Sequence, residues 1–135
     1  MYKGSYVALV TPMLEGGAVD YQALEALIDW HIVNNTQGLV ILGTTGEAAT
    51  ITPAERAQII TKVVAQVNNK IPVIVGTGTN ATTTTLELTL QAQQLGADAA
   101  LVVTPYYNKP TQEGLFQHFG CIADATSLPI FLYNV

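Results

Sequence analysis

Short runs of apolar residues recur along the chain, and stretches with helical spacing separate them. The runs are continuous in Val, Ile and Leu instead of alternating with polar residues, as is typical of strands that helices bury on both faces. They follow one another at intervals of roughly thirty residues, the length of a βαβ unit. The pattern predicts five strands, at residues 6–11, 38–42, 73–76, 99–103 and 129–133.

The segments between the predicted strands carry the start signals of helices. In the clearest of them, Thr52 stands at the N-cap, Pro53 takes the first helical position, and Glu55 can return a hydrogen bond to the cap. Four threonines open the third helix, at about residues 82–95, where stiff β-branched side chains make a weak start. We interpret this threonine run as a solvated face and not as a site. The other predicted N-caps are Asp20 for the first helix and Thr111 for the fourth.

The alternation of strands and helices predicts an α/β fold with a mostly parallel sheet and right-handed crossovers. Periodicity alone leaves both a doubly wound sheet and a closed barrel open. Because there is no linker and no change of composition, we expect residues 1–135 to belong to a single domain. No helix follows the fifth predicted strand to cover it, so we expect the chain to be part of a longer protein.

The composition narrows the classes of function. With 49% hydrophobic and 11% charged residues, the chain is that of a packed globular protein. Its net charge of −5 and its lack of a basic run argue against a nucleic acid partner. It has neither a long apolar stretch nor a basic leader followed by an apolar segment, so we expect no membrane partner and a soluble, cytoplasmic protein.

Small and hydroxylated residues gather directly after the predicted strands. The carboxyl ends of parallel strands form the ligand-binding edge in both a barrel and a doubly wound sheet. The sequence therefore marks one edge of the sheet as the functional one. The segments concerned are 11–12, 43–47, 76–80, 104–108 and 133–134.

The loop Gly43-Thr44-Thr45-Gly46-Glu47 offers consecutive backbone N–H groups and two hydroxyls next to glycines. Such a loop suits a carboxylate ligand, because glycines allow a close approach and the N–H groups carry partial positive charge. It lacks the Gly-Lys-Ser/Thr sequence of a phosphate-binding P-loop. On its own, a simple turn remains an equal alternative.

Two other patterns admit a chemical interpretation. Residues 76–81 match the G-x-G-x-x-A form of a dinucleotide fingerprint, but they follow the third strand, so we favour a tight turn between strand and helix. His118 and Cys121 are three residues apart on one helix, where a packed thiol beside an imidazole is favoured over a nucleophile and its base. No cluster of residues has zinc-ligand spacing, so we expect no metal.

Tyrosines occupy the predicted ends of the fourth and fifth strands. Tyr106 and Tyr107 are adjacent in a loop stiffened by two prolines, and Tyr133 ends the fifth strand. A phenol can relay protons when neighbouring hydroxyls form a chain with it, although its pKa is normally near 10. The alternative is that these are rim tyrosines with satisfied hydroxyls.

Taken together, these motifs resemble those of the 4-hydroxy-tetrahydrodipicolinate synthase (dihydrodipicolinate synthase) family. The resemblance covers all 135 residues, in order and in spacing. It is specific, because sister enzymes such as N-acetylneuraminate lyase usually have Gly-Ser-Thr-Gly-Glu in the first loop. The motifs that carry it are 4–12, 43–47, 76–80, 104–110 and 133–135.

The resemblance implies a (β/α)₈ TIM barrel, of which this chain supplies about the first four and a half βα units. It implies a lyase that condenses pyruvate with L-aspartate 4-semialdehyde through a Schiff base, in lysine and diaminopimelate biosynthesis, without a cofactor. By the same resemblance, Tyr133, Thr44 and Tyr107 are catalytic, and Thr45 together with Thr44 binds pyruvate. In this family the tyrosine at the position of Tyr107 enters the neighbouring subunit's site, which implies a homotetramer built as a dimer of dimers.

The family's Schiff-base lysine lies on the sixth barrel strand, outside these 135 residues, so we expect the isolated chain to be inactive. The family's lysine-feedback pocket corresponds to Asn80, Tyr106 and Ala49. Lysine-sensitive members carry polar or acidic side chains at positions that here hold Ala48, Arg56 and Thr84, and feedback by lysine is left open.

The sequence leaves two alternative functions open. The protein could be a sister pyruvate or keto-acid aldolase such as N-acetylneuraminate lyase, because aldehyde choice depends largely on residues beyond this chain. It could also be a non-catalytic half-barrel that assembles through uncovered strands such as 130–133.

Overall fold

In a computed structural model, which describes residues 2–135, five β-strands alternate with four α-helices. A short 3₁₀ turn, Ala48–Thr50, lies between the second strand and the second helix. The strands are β1 (Tyr6–Ala8), β2 (Gly38–Ile41), β3 (Val73–Gly76), β4 (Ala99–Val103) and β5 (Ile130–Tyr133). The helices are α1 (Tyr21–Val33), α2 (Pro53–Val67), α3 (Thr82–Gln94) and α4 (Gln112–Ala125).

The five strands form one parallel sheet in the order β1-β2-β3-β4-β5. Each strand pairs with the next one along the chain, as in the register Ile41 to Val75 and Val75 to Ala100. A doubly wound sheet reverses its strand order at a switch point, whereas a barrel adds its strands in sequence. Neighbouring helices contact each other from α1 to α4, so all four lie on one side of the sheet. This resolves the open choice in favour of a partial (β/α)₈ barrel.

The first residues of the chain show that the sheet curls. The ring of Tyr2, which precedes β1, packs edge-on against Phe131 of β5 with 5.1 Å between centroids. The hydroxyl of Tyr2 also donates to the backbone carbonyl of Asp98, next to β4, at 2.7 Å. The segment before β1 therefore reaches across to the last two strands, as a curled sheet allows.

The core lies between the sheet and the helices. One cluster joins β1, β2 and β3 to the inner faces of α1 and α2, with residues such as Leu39, Ile60 and Val75 fully buried. A smaller cluster holds α4 against β4 through Val102 and Ile122. The concave side of the sheet is thus left to contribute side chains to a cavity.

The predicted helix starts at three caps are confirmed. The carboxylate of Asp20 accepts from the backbone N–H of Ala23 at 2.9 Å. Thr52 and Glu55 form the reciprocal capping box expected from their spacing. The hydroxyl of Thr111 accepts from the N–H of Gly114 at 3.1 Å.

The interpretation of the threonine run as a solvated face was wrong in part. Thr83 and Thr84 are exposed, but Thr85 is completely buried. Its hydroxyl accepts from the N–H of Thr79 at 2.9 Å, because that side of α3 packs on the turn after β3. The run therefore anchors the helix to the sheet edge as well as facing solvent.

Two strands end earlier than the apolar runs predicted. β1 ends at Ala8 instead of residue 11, and β2 ends at Ile41 because Leu42 turns into the left-handed region at φ 54°. Within residues 2–135, no helix is long and apolar enough to cross a membrane.

Candidate active site

A cavity of about 400 Å³ opens at the carboxyl edge of the sheet, where the sequence predicted the functional residues. It receives residues from the ends of β2, β3, β4 and β5, and from the 3₁₀ turn and helices behind them. Its wall is formed by Leu42, Gly43, Thr44, Glu47, Ala48, Ala49, Arg56, Gly76, Gly78, Thr79, Leu88, Leu101, Val103, Tyr106, Tyr133 and Val135.

The loop from Gly43 to Glu47 forms one side of this cavity and presents free backbone donors. Its turn is closed by the N–H of Glu47, which donates to the carbonyl of Thr44 at 3.0 Å. Within residues 2–135, the N–H groups of Thr44 and Thr45 have no hydrogen-bond acceptor. Two adjacent free N–H groups in a turn form a concavity of positive potential, which is suited to an anionic group such as a carboxylate.

The same loop is held in place by a buried contact and by strained backbone. The hydroxyl of Thr11, three residues after the end of β1, donates to the carbonyl of Gly46 at 2.8 Å. Leu42 and Glu47, on either side of the loop, both have φ of 54°. Non-glycine residues in this region cost of order 1–3 kcal/mol and concentrate at functional sites. The Thr11 hydrogen bond and the left-handed residues at both ends therefore hold the loop in one conformation.

Glycines bring the strand ends close together. A Cβ on Gly76 would lie 2.1 Å from the carbonyl oxygen of Leu42, and one on Gly78 would lie 2.3 Å from the backbone nitrogen of Val103. The glycines of residues 76–81 thus serve the contacts of β3 with β2 and β4. This agrees with a tight turn and gives no support to a dinucleotide fingerprint.

The three residues predicted to form a hydroxyl relay are only partly assembled. Thr44 and Tyr133 both line the cavity. Tyr107 does not, because its side chain is 93% exposed and its backbone adopts φ of 68°. Lys109, two residues later, also has positive φ, of 35°. The loop after β4 therefore holds the Tyr107 ring away from this chain's own cavity.

The remaining predicted residues differ in their position. The side chain of Thr45 is exposed and does not line the cavity, in contrast to Thr44. Ala49 and Tyr106 do line it, and Tyr106 is 45% exposed. Asn80 lies next to the cavity in the turn after β3, where its backbone carbonyl accepts from the side-chain amide of Asn108 at 3.0 Å.

Sequence reasoning considered Arg56 only through its position in the family pocket and did not identify it as part of the cavity wall. It lies on the inner face of α2 and is only 5% exposed. Its Nη2 donates to the backbone carbonyl of Gly76, while its buried Nε has no acceptor. Burial lowers the pKa of Arg56 to about 10. The available signal was helical spacing, since Arg56 continues the buried stripe of Ile60, Val63 and Val67.

His118 and Cys121 do not form a pair. His118 is buried and its Nδ1 lies 2.8 Å from the hydroxyl of Thr82, whereas Cys121 is exposed. The expectation of a packed thiol was therefore wrong, because three residues of helix place the two side chains at different depths. Burial lowers the pKa of His118, whose Nε2 has no partner within residues 2–135.

Within residues 2–135, the cavity wall offers neither a metal-binding cluster nor a lysine. Across residues 2–135, no group of three or more His, Cys, Asp or Glu side chains is placed to hold a metal ion. None of the lysines lines the cavity. Lys62 is paired with Glu25 at 2.6 Å on the outer surface of the helices.

Comparisons with known proteins give a consistent result. The profile of the Dihydrodipicolinate synthetase family matches residues 1–135. The chain is 64% identical over its whole length to the 4-hydroxy-tetrahydrodipicolinate synthase of Coxiella burnetii (strain RSA 493 / Nine Mile phase I), and covers 47% of that protein. It is 57% identical to that of Teredinibacter turnerae (strain ATCC 39867 / T7901), and covers 46% of it. The chain thus spans about half the length of these curated relatives.

Solved structures agree with these matches. The chloride-inhibited dihydrodipicolinate synthase from Acinetobacter baumannii, complexed with pyruvate, superposes with a TM-score of 0.98 at 55% identity. All of this chain and 46% of that one are covered. The dihydrodipicolinate synthase of Thermotoga maritima gives a TM-score of 0.97 at 48% identity, with 100% of this chain and 45% of that one covered.

Proposed function

The chain belongs to the Dihydrodipicolinate synthetase family, and on that basis we propose that it supplies the pyruvate-binding part of a 4-hydroxy-tetrahydrodipicolinate synthase. The proposed reaction joins pyruvate, held as a Schiff base, to L-aspartate 4-semialdehyde. One observation carries the proposal: the free N–H groups of Thr44 and Thr45 belong to the loop that shares a cavity with Tyr133.

In this proposal the loop binds the carboxylate of pyruvate. The N–H groups of Thr44 and Thr45 donate to it, and the hydroxyl of Thr45 adds a third donor by turning towards the ligand. Hydrogen bonds to a charged acceptor are worth more than neutral ones, and these donors have no competing partner within residues 2–135. The pyruvate complex of the Acinetobacter baumannii relative supports the choice of ligand.

Tyr133 would transfer protons at the carbon and nitrogen atoms that react. A phenol with a pKa near 10 needs a neighbouring hydroxyl to take up or supply the proton. Thr44 is the hydroxyl on the same cavity wall and would form the first link of this relay.

Tyr107 would complete the relay in a second copy of the chain. Its exposure of 93%, together with left-handed backbone that directs it outward, supports a role outside its own cavity. We propose a homotetramer arranged as a dimer of dimers. Sedimentation of the full-length protein should give a tetramer, and a fully active monomer would refute the role of Tyr107.

The Schiff-base lysine would come from outside residues 1–135, since Lys3, Lys62, Lys70 and Lys109 are all away from the cavity wall. Borohydride reduction of the full-length protein with pyruvate should trap an adduct on a lysine that is not one of these. The isolated 135-residue chain should give no adduct and no activity. A full-length protein that forms no adduct would eliminate the Schiff-base mechanism.

The identity of the aldehyde substrate is a separate question. We propose L-aspartate 4-semialdehyde because the curated relatives in the comparison are 4-hydroxy-tetrahydrodipicolinate synthases. A coupled assay should show turnover with this aldehyde and pyruvate and little with N-acetylmannosamine. The reverse preference would assign the protein to the sugar-acid lyases instead.

Feedback by L-lysine would be weak. Ala49 and Tyr106 line the cavity and Asn80 lies beside it, but Arg56 adds a positive charge to the same wall. Lysine carries a net positive charge at neutral pH, so the buried guanidinium of Arg56 would disfavour its binding. Initial rates measured with added L-lysine should change little, and strong inhibition would show that the repulsion is overcome.

A further inference from the structure

Arg56 is a buried cation without a counter-ion. The residue is 5% exposed, and its guanidinium has the carbonyl of Gly76 as its acceptor while the buried Nε has none. Among residues 2–135 the single ion pair is that of Lys62 with Glu25. A buried charge with unfilled donors is unfavourable, and proteins normally pair such a charge or provide it with a ligand.

The neighbouring acidic groups do not neutralise this charge. Glu55, the adjacent residue, turns its carboxylate away to accept from the N–H and the hydroxyl of Thr52 at 3.0 and 2.7 Å. Glu47 is the one acidic residue on the described cavity wall, and it lies beyond ion-pair distance of Arg56. Arg56 also stands near the start of α2, where the helix dipole adds positive potential.

The residue nevertheless reaches a cavity. Arg56 forms part of the wall of the cavity of about 400 Å³, next to Ala48, Ala49 and Leu88, which have no charge to offer it. Guanidinium groups present several N–H donors in one plane and bind carboxylates and other anions well. The cavity has room for a small ion in addition to a ligand at Thr44.

We propose that Arg56 forms a binding site for a small monovalent anion, separate from the carboxylate position at Thr44 and Thr45. The anion accepts from terminal N–H groups of the guanidinium and supplies the missing negative charge. Because Arg56 also holds the carbonyl of Gly76, which packs against Leu42 at the base of the 43–47 loop, the two positions are mechanically connected. This site does not depend on the proposed reaction.

The direct test is to soak crystals of the full-length protein in sodium bromide and to locate bromide by anomalous scattering. We expect a bromide ion within hydrogen-bond distance of the Arg56 guanidinium. It should disappear in Arg56→Gln and remain in Lys70→Gln, which removes an exposed positive charge outside the cavity. Absence of bromide from the wild-type site would overturn the proposal, and this result does not require any variant to fold.

A solution measurement distinguishes a true site from an adventitious ion only. The NMR line of chloride should broaden with wild-type protein, and Arg56→Gln should reduce chloride affinity about tenfold or more, because hydrogen bonds to charged groups are the stronger ones. Equal broadening by both proteins would refute the site. Acetate that reverses the broadening would identify carboxylates as ligands as well, whereas no competition would restrict the site to halide-like ions.

The same samples separate this inference from the proposed function. Borohydride trapping with pyruvate reports on the Schiff base, and bromide density reports on Arg56. Bromide binding without an adduct would leave the anion site standing and refute the reaction. An adduct without bromide at Arg56 would support the Schiff-base reaction and refute the anion site.

Discussion

The hydroxyl of Thr11 donates a buried hydrogen bond of 2.8 Å to the backbone carbonyl of Gly46. This bond ties the segment that follows β1 to the 43–47 loop. The loop carries the free N–H groups of Thr44 and Thr45, so their direction depends on the Thr11 contact. A residue with no direct role in chemistry thus positions the donors proposed to hold the substrate.

Replacement of Thr11 by valine should weaken both the fold and substrate binding. Thr11→Val keeps the shape of the side chain but leaves the Gly46 carbonyl unsatisfied, which costs about 1–3 kcal/mol. We expect denaturant unfolding of the full-length protein to show this loss, and KM for pyruvate to rise more than kcat falls. Thr50→Val is the matched control, because its hydroxyl bonds to the carbonyl of Glu47 at an exposed position. Equal KM values for Thr11→Val and wild type would contradict the positioning role.

Replacement of Gly76 by alanine should be strongly destabilising. The added Cβ would meet the carbonyl oxygen of Leu42 at 2.1 Å, and backbone atoms cannot move aside easily. Overpacking of this kind costs roughly 1–3 kcal/mol or more. Gly120→Ala is the control, since a Cβ on that helical residue meets no atom within 4 Å. It should stabilise the protein by up to about 1 kcal/mol. Similar unfolding curves for the two variants would show that the strand ends can separate.

The strands and the helix caps could be predicted because their causes are local. Thr52 and Glu55 are three residues apart, and that spacing alone allows the reciprocal hydrogen bonds. Continuous apolar runs such as 73–76 similarly require burial on both faces. The choice of a barrel over a doubly wound sheet could not come from periodicity, because it depends on which strands pair.

The parts of the site that escaped prediction depend on distant neighbours. Arg56 is charged, and only the packing of α2 on the end of β3 makes it a buried wall residue. Thr85 is buried because the turn after β3 reaches its hydroxyl. Tyr107 points outward because its backbone takes a left-handed conformation that tyrosine rarely adopts. Helical spacing can indicate that a residue such as Arg56 lies on a buried face, but it does not indicate which distant residue it contacts.

Loss of the Tyr133 hydroxyl should reduce turnover much more than pyruvate binding. Tyr133→Phe keeps the ring on the cavity wall but removes the group proposed to transfer protons. Such transfers contribute about 10²–10⁴-fold, so we expect kcat of the full-length protein to fall by a factor in that range. Tyr21→Phe is the control, because Tyr21 lies on α1 and its buried hydroxyl has no partner within residues 2–135. A kcat for Tyr133→Phe within twofold of wild type would assign proton transfer to another group.

Acidification should destabilise the fold through His118. Burial lowers the pKa of this imidazole below its ordinary value of 6.5, so the unfolded chain takes up a proton more readily than the folded one. Stability is therefore unaffected by this group well above pH 6.5 and falls as the pH drops below 6.5 towards the lowered pKa. One such group contributes a slope of at most about 1.4 kcal/mol per pH unit.

The variant His118→Gln removes the titrating group while keeping a polar side chain near the hydroxyl of Thr82. At about pH 8, where the imidazole is neutral in both states, its free energy of unfolding should be lower than that of wild type, because packing against Phe119 is lost. Between about pH 7 and 5, a range above the normal pKa of most carboxylates, its stability should decline less than that of wild type. Denaturant unfolding at a series of pH values measures both curves. If the two curves run parallel over this range, the imidazole is not the group that couples folding to protons, and the buried position of His118 is a matter of packing alone.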